Sequence, residues 1–146
     1  MEDHSIALVK KYFDRYGWKY RIIDKRKIIS GWQEEKRQYI INVKVYETFV
    51  QFQVKVFDLS SYAKNRNLLT LLQSIMILNK ECHLVKIFCT EDLSVCIRAE
   101  ALRDNFTYQN FSTTIGVLAY YSKEVLKEIG EEILDHDTNI HRLFKT

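Results

Sequence analysis

Apolar residues recur at helical spacing in three stretches of the chain and alternate with polar ones through most of what lies between. Ile6, Val9, Phe13 and Tyr16 stand three and four apart, with Lys10, Lys11, Asp14 and Arg15 between them, which predicts an amphipathic first helix over residues 4 to 16. Gly17 falls at its C′ position. Trp18 to Ile22 then alternates apolar and charged residues like a half-buried strand, Asp24 to Lys27 reads as a tight turn, and Ile28 to Trp32 reads as the next strand. A polar turn over Gln33 to Arg37 leads into the clearest strand pair. Tyr39, Ile41, Val43 and Val45 share one face, and after a turn near Glu47 and Thr48 so do Val50, Phe52, Val54 and Val56. Asn42, Lys44, Gln51, Gln53 and Lys55 take alternate positions, so one sheet face is packed and the other wet, as in an antiparallel meander.

A helix starting between Ser60 and Asn67 supplies Leu68, Leu71, Leu72, Ile75, Met76 and Leu78, a stripe wide enough to cover such a sheet. It is expected to be the central core helix. A hairpin follows, with Val85, Ile87 and Cys89 on one face, a turn at Thr90 to Asp92, and then Leu93, Val95, Ile97, Ala99 and Ala101. Beyond a polar loop over residues 103–110, Ser112, Thr113 or Thr114 is expected to cap a last helix. That helix turns Ile115, Leu118, Ser122, Val125, Ile129 and Ile133 inward and Lys123, Glu124, Lys127, Glu128, Glu131 and Glu132 to water. The order α-β-β-β(-β)-α-β-β-α predicts one α+β domain over residues 1–146, with residues 137–146 a fraying tail.

Composition narrows the function classes. The 146 residues suffice for one core, and a net charge of +3 is too small a surplus to mark a nucleic-acid binder by itself. No long uncharged apolar run is present, and Met1-Glu2-Asp3-His4 is acidic where a secretory leader is basic, so a cytoplasmic protein with no membrane contact is expected. Asn105-Phe106-Thr107 and Asn110-Phe111-Ser112 match the glycosylation sequon but read as polar loop positions. Cys82, Cys89 and Cys96, odd in number and seven apart, suit neither a disulfide framework nor metal ligation. Proline is absent, so Gly, Asn, Asp and charged residues must make the turns.

The helix entry Asn67-Leu68-Leu69, the run Leu78-Asn79-Lys80-Glu81 and the following Val85-Lys86-Ile87-Phe88 resemble the signature of the YbjN family, in which a helix ending in a Leu-Asn pair leads into a Lys-aromatic strand. Leu8-Val9-Lys10-Lys11-Tyr12-Phe13 followed by Gly17-Trp18 is similar to that family's first helix and its entry to the first strand. Element order agrees over residues 6 to about 134. The resemblance implies the type III secretion chaperone-like fold: a curved antiparallel sheet with helices on one side, commonly dimeric. It also implies a sensory-transduction or regulatory role and offers no catalytic residues to carry over.

Nor do the residues themselves offer any. Cys82 and His83 are adjacent, and neighbouring side chains diverge; His136 and His141 are five apart, where a shared helix face needs four. The acid pairs Glu34-Glu35, Glu91-Asp92 and Glu131-Glu132 fall in turns or on a polar helix face, and the four glycines are isolated, so no phosphate loop exists. No enzyme activity, cofactor or metal is expected. Two binding surfaces stand out. Tyr46, Phe49 and Phe57 lie among Gln51, Gln53 and Lys55 on the wet sheet face, where exposed aromatics suit a protein contact or self-association. Lys19, Arg21, Lys25, Arg26, Lys27, Lys36 and Arg37 interleave with Trp18, Tyr20 and Trp32, a mixture that suits single-stranded nucleic acid. The first reading is a homodimeric protein-interaction domain of chaperone or regulatory type, binding an unidentified protein by strand addition or in a groove. The alternative is a small nucleic-acid-binding module.

Overall fold

A computed structural model describes residues 4–35, 37–60 and 68–136, with side chains through residue 130. These form α1 (His4–Tyr16), β1 (Tyr20–Asp24), β2 (Lys27–Glu34), β3 (Arg37–Val45), β4 (Phe49–Asp58), α2 (Leu68–Glu81), β5 (Lys86–Cys89), β6 (Ser94–Leu102) and α3 (Tyr108–His136). The strands make one sheet in the order β1-β2-β3-β4-β6-β5, with every neighbouring pair antiparallel. The fold is α+β in the predicted order, with four strands before α2.

Alternation in the sequence becomes two sheet faces because the registers keep like positions together. Ile41 pairs with Val54 and Val43 with Phe52; Phe52 pairs in turn with Ala99, and Val54 with Ile97. All of these are buried. The turn expected over Gln33 to Arg37 is shorter than its polar composition suggests. Gln33 pairs with Gln38 and Glu34 with Arg37, leaving only positions 35 and 36 between the strands. Cross-strand pairing satisfies the backbone whatever the side chains are, so polar residues at an exposed sheet end do not stop a strand.

α1 ends as its sequence predicts. Gly17 adopts φ 86°, a conformation that costs glycine little, and the amides of Trp18 and Gly17 close on Phe13 and Asp14 carbonyls in a Schellman arrangement. α3 begins earlier than expected and with a different cap. The Asn110 amide donates to Thr107 Oγ1 at 3.1 Å, while the Thr107 amide donates back to Asn110 Oδ1 at 3.1 Å. This reciprocal pair does the work of a capping box and displaces the cap from Ser112–Thr114 to Thr107.

The larger correction concerns which helix covers the sheet. α2 does not: only its Leu71 and Ile75 are buried, and Met76, expected inside, is 72% exposed. The covering helix is α3, whose Phe111, Ile115, Leu118, Val125 and Ile129 are buried and which packs on β4 and β6. Ile6, Val9 and Phe13 of α1 complete the layer, and α2 leans on α3 and β5 at one side. A helix of 29 residues spans the sheet where one of 14 cannot.

Candidate interaction surfaces

Tyr46 and Phe49 flank the β3–β4 turn on the face opposite the helices. Their rings stack at 4.6 Å and 16°, and the Lys44 ammonium lies 4.9 Å from the Tyr46 ring centre. Arg103 fixes this turn: its guanidinium donates to the carbonyls of Tyr46 at 2.9 Å and Glu47 at 3.0 Å and to Ser5 Oγ of α1 at 2.8 Å. Phe57 is not brought to them. It sits at the other end of β4, after a register shift between Lys55 and Phe57, and packs against the core.

The basic residues are likewise divided. Lys25 and Arg26 form the β1–β2 turn and Lys27 opens β2, whereas Arg37 lies beyond the far end of β2. Arg37 donates to the Val56 carbonyl and stands 5.5 Å from the Tyr39 ring. Lys36 lies outside the described residues. Trp18, Trp32 and Tyr39 stack on one another, at 5.5 Å and 22° and then 4.7 Å and 11°, so their ring faces are largely occupied. Burial pushes the Tyr39 hydroxyl above its ordinary pKa.

Cys82, Cys89 and Cys96 are free thiols, each pushed above its ordinary pKa by desolvation. Among the described residues no three His, Cys, Asp or Glu are grouped to hold a metal ion. No described helix is long and apolar enough to cross a membrane.

Three features escaped the sequence reading. One is the outer side of α2, where Leu69, Met76 and Ile77 are exposed. A second is the chemistry on the open sheet face. A single register crosses all six strands there: Arg21, Ile29, Asn42, Gln53, Arg98 and Lys86. Arg98 donates to Gln53 Oε1 at 2.9 and 2.7 Å and lies 4.6 Å from the Phe88 ring centre, and Lys86 pairs with Glu100 at 3.4 Å.

The third is a plug. Asn79 of α2 accepts the Ile87 amide of the edge strand β5 on its Oδ1 at 2.7 Å. This is the physical role of the Leu78-Asn79 pair: a helix side chain consumes a donor that the sheet edge would otherwise offer. Asn79→Ala should cost about 1–3 kcal/mol in urea unfolding, the desolvation penalty of an unpaired buried donor. Asn79→Asp, which keeps an acceptor, should recover most of that loss, and equal losses in the two variants would refute the capping role.

No protein-family model matches the chain, and no curated protein does. Solved structures do. An uncharacterized protein from Methanothermobacter thermautotrophicus superposes with a TM-score of 0.65 at 15% identity, covering 87% of this chain and 97% of its own. The ExsC–ExsE complex contains a chain matching at 0.60 and 13% identity, with 84% and 92% covered. The fold is that of type III secretion chaperones and YbjN. YbjN itself, a putative transcription regulator from E. coli, matches at 0.52 and 14% identity over 94% and 93% of the two chains. Identities this low establish the shared fold alone, and function has to be argued from the surfaces.

Proposed function

We propose that this chain is a non-enzymatic, cytoplasmic protein-binding domain of chaperone or regulatory type that works as a homodimer through α2. The observation that carries the reading is the exposed stripe of Leu69, Met76 and Ile77, at 79%, 72% and 56% exposure on a helix whose other side is already buried. A helix apolar on both sides is a helix with a second partner. In the ExsC–ExsE complex a chain of this fold is found together with another protein, which supports a binding role here.

A second copy suits the stripe better than a charged partner does. No charged residue occurs from Leu68 to Asn79, so two α2 helices can meet without like-charge repulsion. Leu69, Gln73 and Ile77 are four apart and symmetric about Gln73. An antiparallel two-fold pairing therefore sets Leu69 of one copy against Ile77 of the other and Gln73 against itself, as a self-complementary interface requires. Each apolar side chain fully buried there contributes about 1.5–3 kcal/mol.

Size-exclusion chromatography with light scattering tests this. The protein should elute at twice its 17.5 kDa mass, and Met76→Glu with Ile77→Lys should give a folded monomer. A wild-type monomer at all concentrations would overturn the dimer.

A further inference from the structure

We infer that the outer edge of β1 and the adjoining hollow on the open sheet face receive an extended, acidic segment of a partner polypeptide. The inference rests on the protein-binding reading above and names where the partner binds and its charge.

The sheet has two edges, and they differ. At β5 the Ile87 amide is already taken by Asn79. At β1, which ends the sheet, Arg21, Ile22, Ile23 and Asp24 are all exposed and no described residue pairs on its outer side. Ile22 and Ile23, 40% and 42% exposed, put apolar side chains at this edge, beside the register shift that falls between Ile22 and Asp24. Proteins ordinarily blunt an edge with short strands, charges and bulges; β1 is short and carries Arg21, Asp24 and a register shift, yet no described residue covers it and an added strand can pair there.

Beside the edge lies a hollow of about 420 Å³, lined by Lys19, Arg21, Ile29, Gly31, Gln38 and Ile40. Its floor is bare because Gly31 contributes no side chain between Ile29 and Gln33 of the same strand. Ile29 and Ile40 give it apolar walls, and Lys19 and Arg21 charge the rim next to β1. Among the described residues neither cation has an ion-pair partner. Lys27 and Lys44, paired in the next register, continue the positive charge, and the acid on this face, Glu100, is engaged by Lys86.

A strand added to β1 sends every second side chain over this face. Acidic side chains there meet Lys19 and Arg21 at the rim of the hollow, and the aliphatic ones between them turn to the opposite face. Nucleic acid would share the charge complementarity but has no main-chain donors to pair along β1, and the Trp18–Trp32–Tyr39 rings that would stack its bases are stacked on each other. The geometry therefore favours a polypeptide.

The test uses fluorescence anisotropy on the full chain with three labelled probes: a synthetic peptide alternating Glu with Val, the same peptide with Lys for Glu, and an oligothymidylate. The Glu peptide should bind, the Lys peptide should not, and Lys19→Glu with Arg21→Glu should weaken binding at least about tenfold while leaving the circular dichroism unchanged. Hydrogen exchange should show β1 amides gaining protection in the complex. Equal binding of the Glu and Lys peptides, oligothymidylate binding in place of the Glu peptide, indifference to the charge reversal, or absent β1 protection would each overturn the inference. An intact dimer that fails to bind the Glu peptide refutes this inference and leaves the α2 reading standing; a monomer that binds it does the reverse.

Discussion

Phe111→Ala should lose about 3–5 kcal/mol of stability, a large share of the 5–15 kcal/mol typical of a whole domain. Phe111 is fully buried in the first turn of α3. Its ring meets Phe13 edge-on at 4.8 Å and 87°, Tyr12 at 5.7 Å, Tyr16 at 5.9 Å and Phe52 of β4 at 6.0 Å. One side chain thus joins α1, α3 and the sheet. Truncation leaves a cavity whose walls are rings held by their own contacts; Tyr12, for example, donates its hydroxyl to the Phe106 carbonyl at 3.0 Å. Walls fixed in this way collapse little, which puts the cost at the upper part of the range. Urea unfolding followed by far-UV circular dichroism measures it, with Tyr108→Ala as the half-buried comparison. A loss below about 1 kcal/mol would mean that the aromatic cluster does not join the layers.

Much of the sheet was legible because its pattern has only one physical solution. Tyr39 to Val45 and Val50 to Val56 alternate without interruption, and a one-residue slip would put every apolar side chain in water. The helices were harder. α2 and α3 both carry apolar stripes, and a stripe records that something covers it, not what. Leu71 and Ile75 face this chain's core; Leu69, Met76 and Ile77 face outward, and the sequence pattern merges the two sets. That is why α2 reads as a core helix when α3 holds the place. The placement of the candidate surface residues was legible in part. Tyr46 and Phe49 follow from alternation, and the structure stacks them. The basic set is divided, with Lys25 to Lys27 and Arg37 separated by the length of β2, a distance fixed by strand pairing and not by proximity in sequence. Lys19 and Arg21 come beside Gly31 and Ile29 for the same reason, through the β1–β2 pairing. Asn79 was visible as half of a Leu-Asn pair, but its acceptor role needs the position of Ile87.

Gly31→Ala should destabilise the protein by about 1–3 kcal/mol, against the usual sign for glycine within a strand. A Cβ at Gly31 would stand 2.4 Å from the Tyr39 carbonyl oxygen and 3.5 Å from the Ile40 Cα. Both obstacles belong to the main chain of β3, so no rotamer change relieves them and the two strands must part. The neighbouring pairs Ser30 with Ile41 and Trp32 with Tyr39 resist that movement from either side. Gly116→Ala in α3 is the control: nothing lies within 4 Å of its added Cβ, and helix propensity predicts a gain of up to about 1 kcal/mol. Urea midpoints should therefore move in opposite directions for the two substitutions. Parting of β2 from β3 also disturbs the Trp32–Tyr39 stack and the walls of the hollow, so tryptophan emission should change and the Glu-Val peptide should bind more weakly even with Lys19 and Arg21 intact. A Gly31→Ala protein with an unchanged midpoint and emission would show that the strands have room there for a side chain, and that the bare floor of the hollow is not a requirement of the fold.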